Sequence, residues 1–375
     1  MRYDYIIVGA GFFGCVIAER IANKLNNKVL LIDKRNHIGG NSYSEIDKET
    51  GIEFHKYGTH IFHTSEQKVW NYIKKFSDFN NYQHQVLTTY KNKVYQMPIN
   101  LETINSFYNI NLKPYEVQNF LKKEINKTNI KNPKNFEEKA ITLIGKPLYN
   151  AFIKGYTKKQ WGLDPFLLPD SILSRLPIRY NYDRTYFKHA RWQGIPLGGY
   201  EEIFKKMTKS SNINVILNCD YLKNKKKYQY NKKLIFTGSI DAFFDFCYGK
   251  LEYRSVYFEK RYFNFKDFQG TSVMNYAEDK INYTRIHEPR HLHLERNYNE
   301  RKTVVLYEYS TDNEKQPYYP INNDRNHNLY LKYKNLSEKE SKIIFGGRLG
   351  SYSYYDMDQV IKKALECFDK EIKNV

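Results

Sequence analysis

The sequence predicts an α/β chain built on a doubly wound parallel sheet, on three observations. A β-rich run, Tyr3 to Val8, is followed by Gly9-Ala10-Gly11-Phe12-Phe13-Gly14 and then by apolar residues at helical spacing, Ile17, Ile21 and Leu25. A second β-rich run, Lys28 to Asp33, completes a βαβ unit in about 30 residues. Short strands of the same type recur far downstream at Ile213–Leu217, Leu234–Thr237 and Ile343–Phe345, so the sheet is assembled from separate pieces of chain.

Between these pieces the pattern changes. Residues 67–76 carry Val69, Trp70, Ile73 and Phe76 at helical spacing. Val86 to Met97 reads as a hairpin around Lys91-Asn92. From Asn100 to about Arg175 the pattern is helical, with Val117, Phe120, Leu121 and Ile125 on one face and Leu148, Phe152, Ile153 and Tyr156 on another. Residues 253–309 alternate polar and apolar, which predicts an antiparallel sheet. A last helix carries Val360, Ile361, Ala364, Leu365 and Phe368 on one face. The expected organisation is a discontinuous nucleotide-binding domain (1–67, 198–250 and 336–375), a helical insert (98–182), and an antiparallel sheet or substrate domain (68–97, 183–197 and 251–335).

Composition narrows the class. The 375 residues are 16% aromatic, which excludes a mainly disordered chain, and carry a net charge of +19. The longest near-apolar run, Tyr5 to Ala18, is too short for a membrane span, and Glu19-Arg20 follow it without a small-residue cleavage site. A cytoplasmic protein without an integral membrane segment is expected. The four cysteines, Cys15, Cys219, Cys247 and Cys367, contain no C-x-x-C pair, so neither a metal site nor a disulfide framework is expected. The lysines are diffuse, and the one dense run, Lys223 to Lys227, reads as a surface loop. Nucleic acid is therefore not the expected partner, and a basic surface suits small anions such as nucleotides.

The glycine fingerprint has a mechanism. Gly9 allows the tight turn, Gly11 lets the backbone approach a pyrophosphate, and Gly14 permits close helix–strand contact. Asp33, at the end of the next strand, suits the ribose hydroxyls of an adenosine moiety. The segment Lys34-Arg35-Asn36-His37-Ile38-Gly39-Gly40-Asn41 and the later Gly346-Gly347-Arg348 fit flavin-binding rather than NAD-binding folds.

Longer motifs are more specific. They are His55-Lys-Tyr-Gly-Thr-His-Ile-Phe-His63, Gly155-Tyr-Thr-Lys-Lys-Gln-Trp-Gly162, Leu176-Pro-Ile-Arg179 and Gln193-Gly-Ile-Pro-Leu-Gly-Gly-Tyr200. Leu251-Glu-Tyr-Arg-Ser255, Tyr283-Thr-Arg285, Pro317-Tyr-Tyr-Pro320, Phe345-Gly-Gly-Arg-Leu349 and Tyr354-Tyr-Asp-Met357 follow. Through these the chain resembles the bacterial UDP-galactopyranose mutases nearly end to end.

That resemblance implies a cofactor, FAD in its reduced form, used without net redox. Its N5 bonds the anomeric carbon of UDP-galactose, the nucleoside diphosphate leaves and returns, and the sugar recloses as a furanose for cell-surface polysaccharide synthesis. It implies a homodimer through the helical insert and a lid around 164–176. It implies catalytic roles for Arg179 and Arg285 as diphosphate ligands, since forked guanidinium donors stay charged, and for His60 and His63 against the flavin. Further substrate-side residues implied are Tyr156, Thr157, Trp161, Trp192, Arg254, Asn275, Tyr319, Tyr354 and Tyr355. The implied cofactor side comprises Gly9, Gly11, Phe12, Phe13, Gly14, Asp33, Lys34, Arg35, Gly40, Asn41, His60, Arg348, Asp356 and Met357. Two departures fall on the substrate side: Trp192 stands where the family usually has tyrosine, which removes a hydroxyl, and Asp183–Ala190 is about a residue longer. Another nucleotide sugar, UDP-N-acetylgalactosamine or a dTDP-deoxy sugar, is the nearest alternative. An amine-oxidase-like flavin oxidoreductase on the same fold is the next.

Overall fold

Strands buried on both faces must be apolar throughout, and Tyr5-Ile6-Ile7 and Val29-Leu30-Leu31-Ile32 are fully buried in the computed structural model. Residues 2–170, 173, 178–312 and 316–373 are described. Of the Leu176–Arg179 motif, Leu176 and Pro177 lie outside them, as do 171, 172 and 174–176 of the expected lid.

The nucleotide sheet has five parallel strands in the order Ile343–Phe345, Tyr230–Phe236, Tyr3–Val8, Val29–Ile32 and Ile213–Ile216. Alternation sends Tyr5, Ile7, Val29, Leu31 and Ile235 to one face, where the helices Phe12–Arg20 and Met357–Cys367 pack. Ile6, Leu30, Ile32, Leu234 and Phe236 go to the other face, against Tyr221 and Phe243. The final helix begins with a reciprocal cap between Asp356 and Gln359, and it buries Ile361, Ala364 and Leu365, with Phe368 just beyond, as its spacing predicts.

The second sheet has seven strands in the order Tyr319–Pro320, Tyr253–Phe263, Thr303–Thr311, Arg285–His287, Val273–Tyr276, Val86–Tyr90 and Lys93–Met97. Lys91 and Asn92 both take left-handed φ values, 50° and 60°, as the two-residue hairpin turn requires. The alternation predicts a wholly antiparallel sheet. The structure differs at one seam, where Val86–Tyr90 lies parallel to Val273–Tyr276.

The helical insert comprises Leu101–Tyr108, Pro114–Asn126, Phe136–Ile144 and, after a distorted turn, Gly155–Trp161. Its core joins Leu101, Ile104, Val117, Leu121, Phe136, Ile141, Leu148 and Phe152. Asn100, fully buried, caps the first helix by accepting from the Thr103 amide at 2.9 Å.

Two local readings change. The lysine run is not a loop but a tight 3-10 turn, Leu222–Lys227. Asp220 Oδ1 accepts from the Leu222 amide at 3.1 Å, and Tyr221 and Leu222 anchor the turn on the sheet, so the lysines wind outward. The helix Asp324–Ser337 straddles the expected boundary at 335/336. It packs through Leu329 and Tyr333 on Ile240, Leu251 and Tyr352, beside the nucleotide sheet. Among the described residues, no helix is long and apolar enough to cross a membrane.

Candidate active site

The three glycines of the fingerprint are required for three different contacts. Gly9 has φ 105°, and a Cβ there would lie 1.9 Å from Thr237 Oγ1. At Gly14 a Cβ would lie 2.0 Å from the Gly9 carbonyl, so only glycine lets the helix start this close to the strand. At Gly11 a Cβ would meet only the Gly40 Cα, at an ordinary contact distance of 3.8 Å, so the backbone is left uncrowded. That open backbone at the head of a nine-residue helix fits a pyrophosphate. Asp33 accepts from the Ala10 amide through Oδ2 and from the Arg35 amide through Oδ1, both at 2.8 Å. It thus ties the glycine turn to the second strand, and each carboxylate oxygen keeps lone-pair capacity for a ribose hydroxyl.

The Gly39-Gly40 segment closes the cradle. The Gly39 amide donates to the Ala10 carbonyl at 2.7 Å. Arg35 donates to Asn41 Oδ1 at 2.8 Å and lies 4.2 Å over the Tyr57 ring. Phe13 packs on Gly346, where a Cβ would overlap its ring at 2.2 Å, and this brings the Gly346-Gly347-Arg348 turn to the cradle. Arg348 donates to the Tyr355 carbonyl at 2.7 Å and covers the Tyr354 ring at 4.5 Å. The Phe12 ring belongs to the core, 4.6 Å from Phe204, and Lys34 is exposed. Asp356 and Met357 open the last helix.

The second half of the site is one row of side chains across the seven-stranded sheet. Thr88, Asn275, Arg285, Glu308 and Phe258 stand directly opposite one another on successive strands, and therefore on one face. Arg285 lies 3.6 Å from Glu308. Glu308, 4% exposed, also takes His287 Nε2 at 2.9 Å and the Thr284 hydroxyl at 3.0 Å. Burial opposes its charge, but Arg285, then His287 and Thr284, outweigh it and hold the carboxyl at about 2. Arg285 sits 5.6 Å from the centre of the Tyr156 ring. The Tyr156 hydroxyl and Asn275 Oδ1 are buried without a hydrogen-bond partner. Two orphaned polar atoms beside a half-buried guanidinium cost about 1–3 kcal/mol each, and a polar, anionic ligand would relieve that cost.

The histidine loop joins the two halves. A Cβ at Gly58 would lie 3.1 Å from the Phe258 ring, so the loop sits on the sheet row. Thr59 Oγ1 meets His287 Nδ1 at 2.7 Å. His60 Nδ1 pairs with the Gly58 carbonyl at 2.6 Å, which assigns the proton to Nδ1 and leaves Nε2 as an acceptor. Burial first, then Arg348, pushes His60 down to about 4, so the ring is neutral. The His60 amide donates to His55 Nδ1 at 2.9 Å, and Tyr200 donates to the His60 carbonyl at 3.1 Å. Tyr319 stacks on Tyr354, with centroids 5.8 Å apart, and its phenol is pushed up by burial and by the neighbouring Tyr354 and Glu308. His60, Arg348, Tyr354, Tyr319, Arg285, Tyr156 and Asn275 thus form one connected site.

Other expected residues stand apart from it or are already engaged. His63 faces the opposite end of the loop, stacked on Phe187 at 3.7 Å. Arg179, 6% exposed, is clasped by Asp183 at 3.1 Å and by the Thr185 carbonyl at 3.3 Å, at the root of the segment carrying Tyr186 and Phe187. Arg254 stands opposite Tyr319 on the neighbouring strand, but it donates to the Gln160 carbonyl at 3.2 Å and pairs with Asp312. Trp161 packs on the helical core, Thr157 is 6% exposed, and the Tyr355 ring lies under Lys363. Trp192 pairs with Thr64 on the strand face that carries Phe62, and stacks on Trp70 at 5.7 Å. Alternation puts His63 and Gln193 on the opposite face, so the Trp192 ring is not brought to Arg285.

Several residues of the site were not expected. Glu308, His287 and Thr59 form the support of Arg285. His84, pushed down to about 3 by burial and by Arg285, packs edge-on to Tyr186 at 5.0 Å. Lys159 donates to the carbonyls of Tyr276, Glu278 and Tyr283 at 2.7, 2.9 and 3.0 Å, pinning the helix that carries Tyr156. The only signal for Glu308 in the sequence is an acid between two tyrosines on a β-rich run.

A backbone cradle that fits a pyrophosphate, together with a half-buried cation beside unpaired hydrogen-bonding groups, suits an enzyme that sets a dinucleotide cofactor against an anionic substrate. The family model for UDP-galactopyranose mutase matches residues 151–354, and one for an NAD(P)-binding Rossmann-like domain matches 7–76. An Escherichia coli protein named dTDP-fucopyranose mutase is 40% identical, covering 98% of each chain. A probable UDP-galactopyranose mutase of Klebsiella pneumoniae is also 40% identical, over 99% of this chain and 95% of its own. The UDP-galactopyranose mutase of Mycoplasma genitalium is 35% identical, over 96% and 92%. Among solved structures, a reduced UDP-galactopyranose mutase superposes with a TM-score of 0.75 at 15% identity, covering 100% of this chain and 95% of that one. The chain belongs to the UDP-galactopyranose mutase family and is an isomerase.

Two results follow from this geometry. Gly11→Val leaves the fold intact, because the new Cβ comes no closer than 3.8 Å to its neighbours, and abolishes flavin binding; a yellow Gly11→Val protein contradicts the cradle. His55, His60 and His84 fall from their ordinary 6.5 to about 3, 4 and 3, burial being the first cause in each. The unfolded chain therefore binds protons that the folded one refuses, so stability is full above pH 6.5 and declines as pH falls toward 4. Each group contributes about 1.4 kcal/mol per pH unit in that window. Denaturant melts of His84→Gln show a shallower decline; the wild-type slope in that variant contradicts the assignment.

Proposed function

We propose that this chain interconverts UDP-galactopyranose and UDP-galactofuranose with reduced FAD, in support of cell-surface polysaccharide synthesis. The observation that carries the reading is the half-buried Arg285 guanidinium, flanked by the unpartnered Tyr156 hydroxyl and Asn275 Oδ1, on a sheet that faces the histidine loop of the cofactor cradle. Bound reduced flavin supplies an electron-rich ring nitrogen as the nucleophile toward the anomeric carbon.

The chain's own residues do the rest. Arg285 holds the diphosphate as it departs and keeps it for return, because its charge cannot be lost and its partner Glu308 fixes its position. Arg179 takes the same role from the other wall once the nucleotide competes with Asp183. The hydroxyls of Tyr156 and Tyr319 and the Asn275 amide hydrogen-bond the nucleotide sugar. Neutral His60, with Nε2 as acceptor, receives a hydrogen bond from the cofactor side, and Tyr186 and Phe187 shield the sugar from water. The family resemblance also supports a homodimer through the helical insert.

A second reading, the same reaction on a dTDP-deoxy sugar, is favoured by the E. coli dTDP-fucopyranose mutase, as similar over full length as the K. pneumoniae protein. Dithionite-reduced holoenzyme assayed on UDP-galactofuranose and dTDP-fucofuranose separates the two. Preferential turnover of the first, without consumption of reductant and with idle oxidised enzyme, is expected. Turnover of the dTDP sugar alone selects the second reading, and net two-electron turnover with oxygen contradicts both. Arg285→Ala and Arg179→Ala retain FAD and lose kcat/KM by about 10²–10³-fold. Near wild-type kcat/KM in either variant removes that arginine from the role.

A further inference from the structure

One face of the nucleotide sheet carries a surface that this reaction does not use. It lies on the side opposite the helices Phe12–Arg20 and Met357–Cys367. There the short helix Ile240–Phe243 packs its last ring against Phe236 and Phe345, with centroids 5.0 and 4.9 Å away. The chain then emerges into solvent for six consecutive exposed residues, Asp245 to Lys250. Phe246 and Tyr248 present 43% and 47% of their surface on this turn. A Cβ at Gly249 would find nothing within 4 Å, so the turn protrudes.

The exposure of Phe246 is built into the backbone. Asp245 and Phe246 take left-handed φ values of 50° and 56°, an unfavourable region for two successive residues other than glycine, and above all for an aromatic one. Strain of this kind persists where the surroundings impose it and marks segments with a task. Here Asp241 and Phe244 impose it: their carbonyls accept from the Phe246 and Cys247 amides at 2.9 and 3.1 Å, and the Tyr333 hydroxyl accepts from the Tyr248 amide at 3.0 Å.

Lysines from three separate elements ring these aromatic residues. Lys225, on the turn Leu222–Lys227, lies 4.5 Å over Phe243 and donates to its carbonyl at 3.0 Å. Lys250 lies 5.7 Å over Phe246, and Lys332, from the helix Asp324–Ser337, lies 5.9 Å over Tyr248. Lys223, Lys226 and Lys227 extend the basic edge outward and are exposed. Asp245 is the exposed acid of the turn, within a chain of net charge +19.

We infer that this turn docks the protein onto an anionic lipid surface. Tyr248, with its polar end, suits the level of lipid headgroups, Phe246 suits the acyl boundary beneath it, and lysines gathered around them gain from the negative surface potential. An isolated pair of rings on a protruding turn suits a bilayer interface. Single-stranded nucleic acid instead asks for a groove in which successive bases stack.

Co-sedimentation of the FAD-loaded protein with vesicles of phosphatidylcholine alone, or of phosphatidylcholine with phosphatidylglycerol in a ratio of about 7:3, tests the inference. Wild type is expected to pellet with the anionic vesicles, at least about tenfold more tightly than with the neutral ones, and to release as salt is raised. Phe246→Ser/Tyr248→Ser and Lys223→Glu/Lys226→Glu/Lys227→Glu are expected to lose that binding while keeping the wild-type melting temperature and bound flavin. The lysine variant alone serves if the aromatic one unfolds. Equal binding to both vesicle types, no binding to either, undiminished binding by a folded variant, or retention on single-stranded DNA without vesicle binding overturns it.

Discussion

The site depends on a charge pair, the half-buried Arg285 with the buried Glu308. A carboxylate withdrawn from water is costly unless it is paired, and the pair itself gains little over an apolar substitute. What it secures here is position. Glu308 is held by His287 and Thr284 as well as by Arg285, and His287 is held in turn by Thr59. One chain of contacts therefore runs from the histidine loop to the Arg285 guanidinium. The loop and the arginine belong to segments more than two hundred residues apart, yet neither can shift without disturbing the other.

The same economy explains the helix that carries Tyr156. Its first residue is Gly155, where a Cβ would lie 2.4 Å from the Ala277 carbonyl, so the helix starts hard against the sheet. Lys159, one turn on, gives its three protons to three carbonyls of the adjoining strand and turn, and burial brings its ammonium down to about 8. The lysine is thus a structural clip. Fixed at both ends, the helix presents the Tyr156 ring to Arg285 and leaves its hydroxyl unpaired. An unpaired buried hydroxyl carries a cost that a ligand's hydrogen bond removes.

How much of this is legible in the sequence depends on the range of the interactions. The glycine cradle and Asp33 are local, and each glycine meets the constraint that its place in the motif implies. The buried face of the last helix is local too. Arg285 is visible through its motif, but Glu308 and His287 are not, because their importance lies in strand register. The parallel seam between Val86–Tyr90 and Val273–Tyr276 escapes for the same reason. Trp192 draws attention as a departure from the family pattern, yet strand alternation turns it onto Trp70. The helix Asp324–Ser337 is rich in Asn, Lys and Tyr, so its weak apolar stripe does not announce which sheet it covers.

The central claim is that Arg285 grips phosphate rather than base or sugar. Calorimetric titration of the oxidised holoenzyme with UDP and with uridine, on wild type and Arg285→Ala, addresses it directly. The account predicts that the variant loses at least about tenfold in affinity for UDP, as removal of a charged hydrogen-bond donor does, while its affinity for uridine is unchanged. Equal losses for both ligands, or UDP affinity equal to that of wild type, would contradict it.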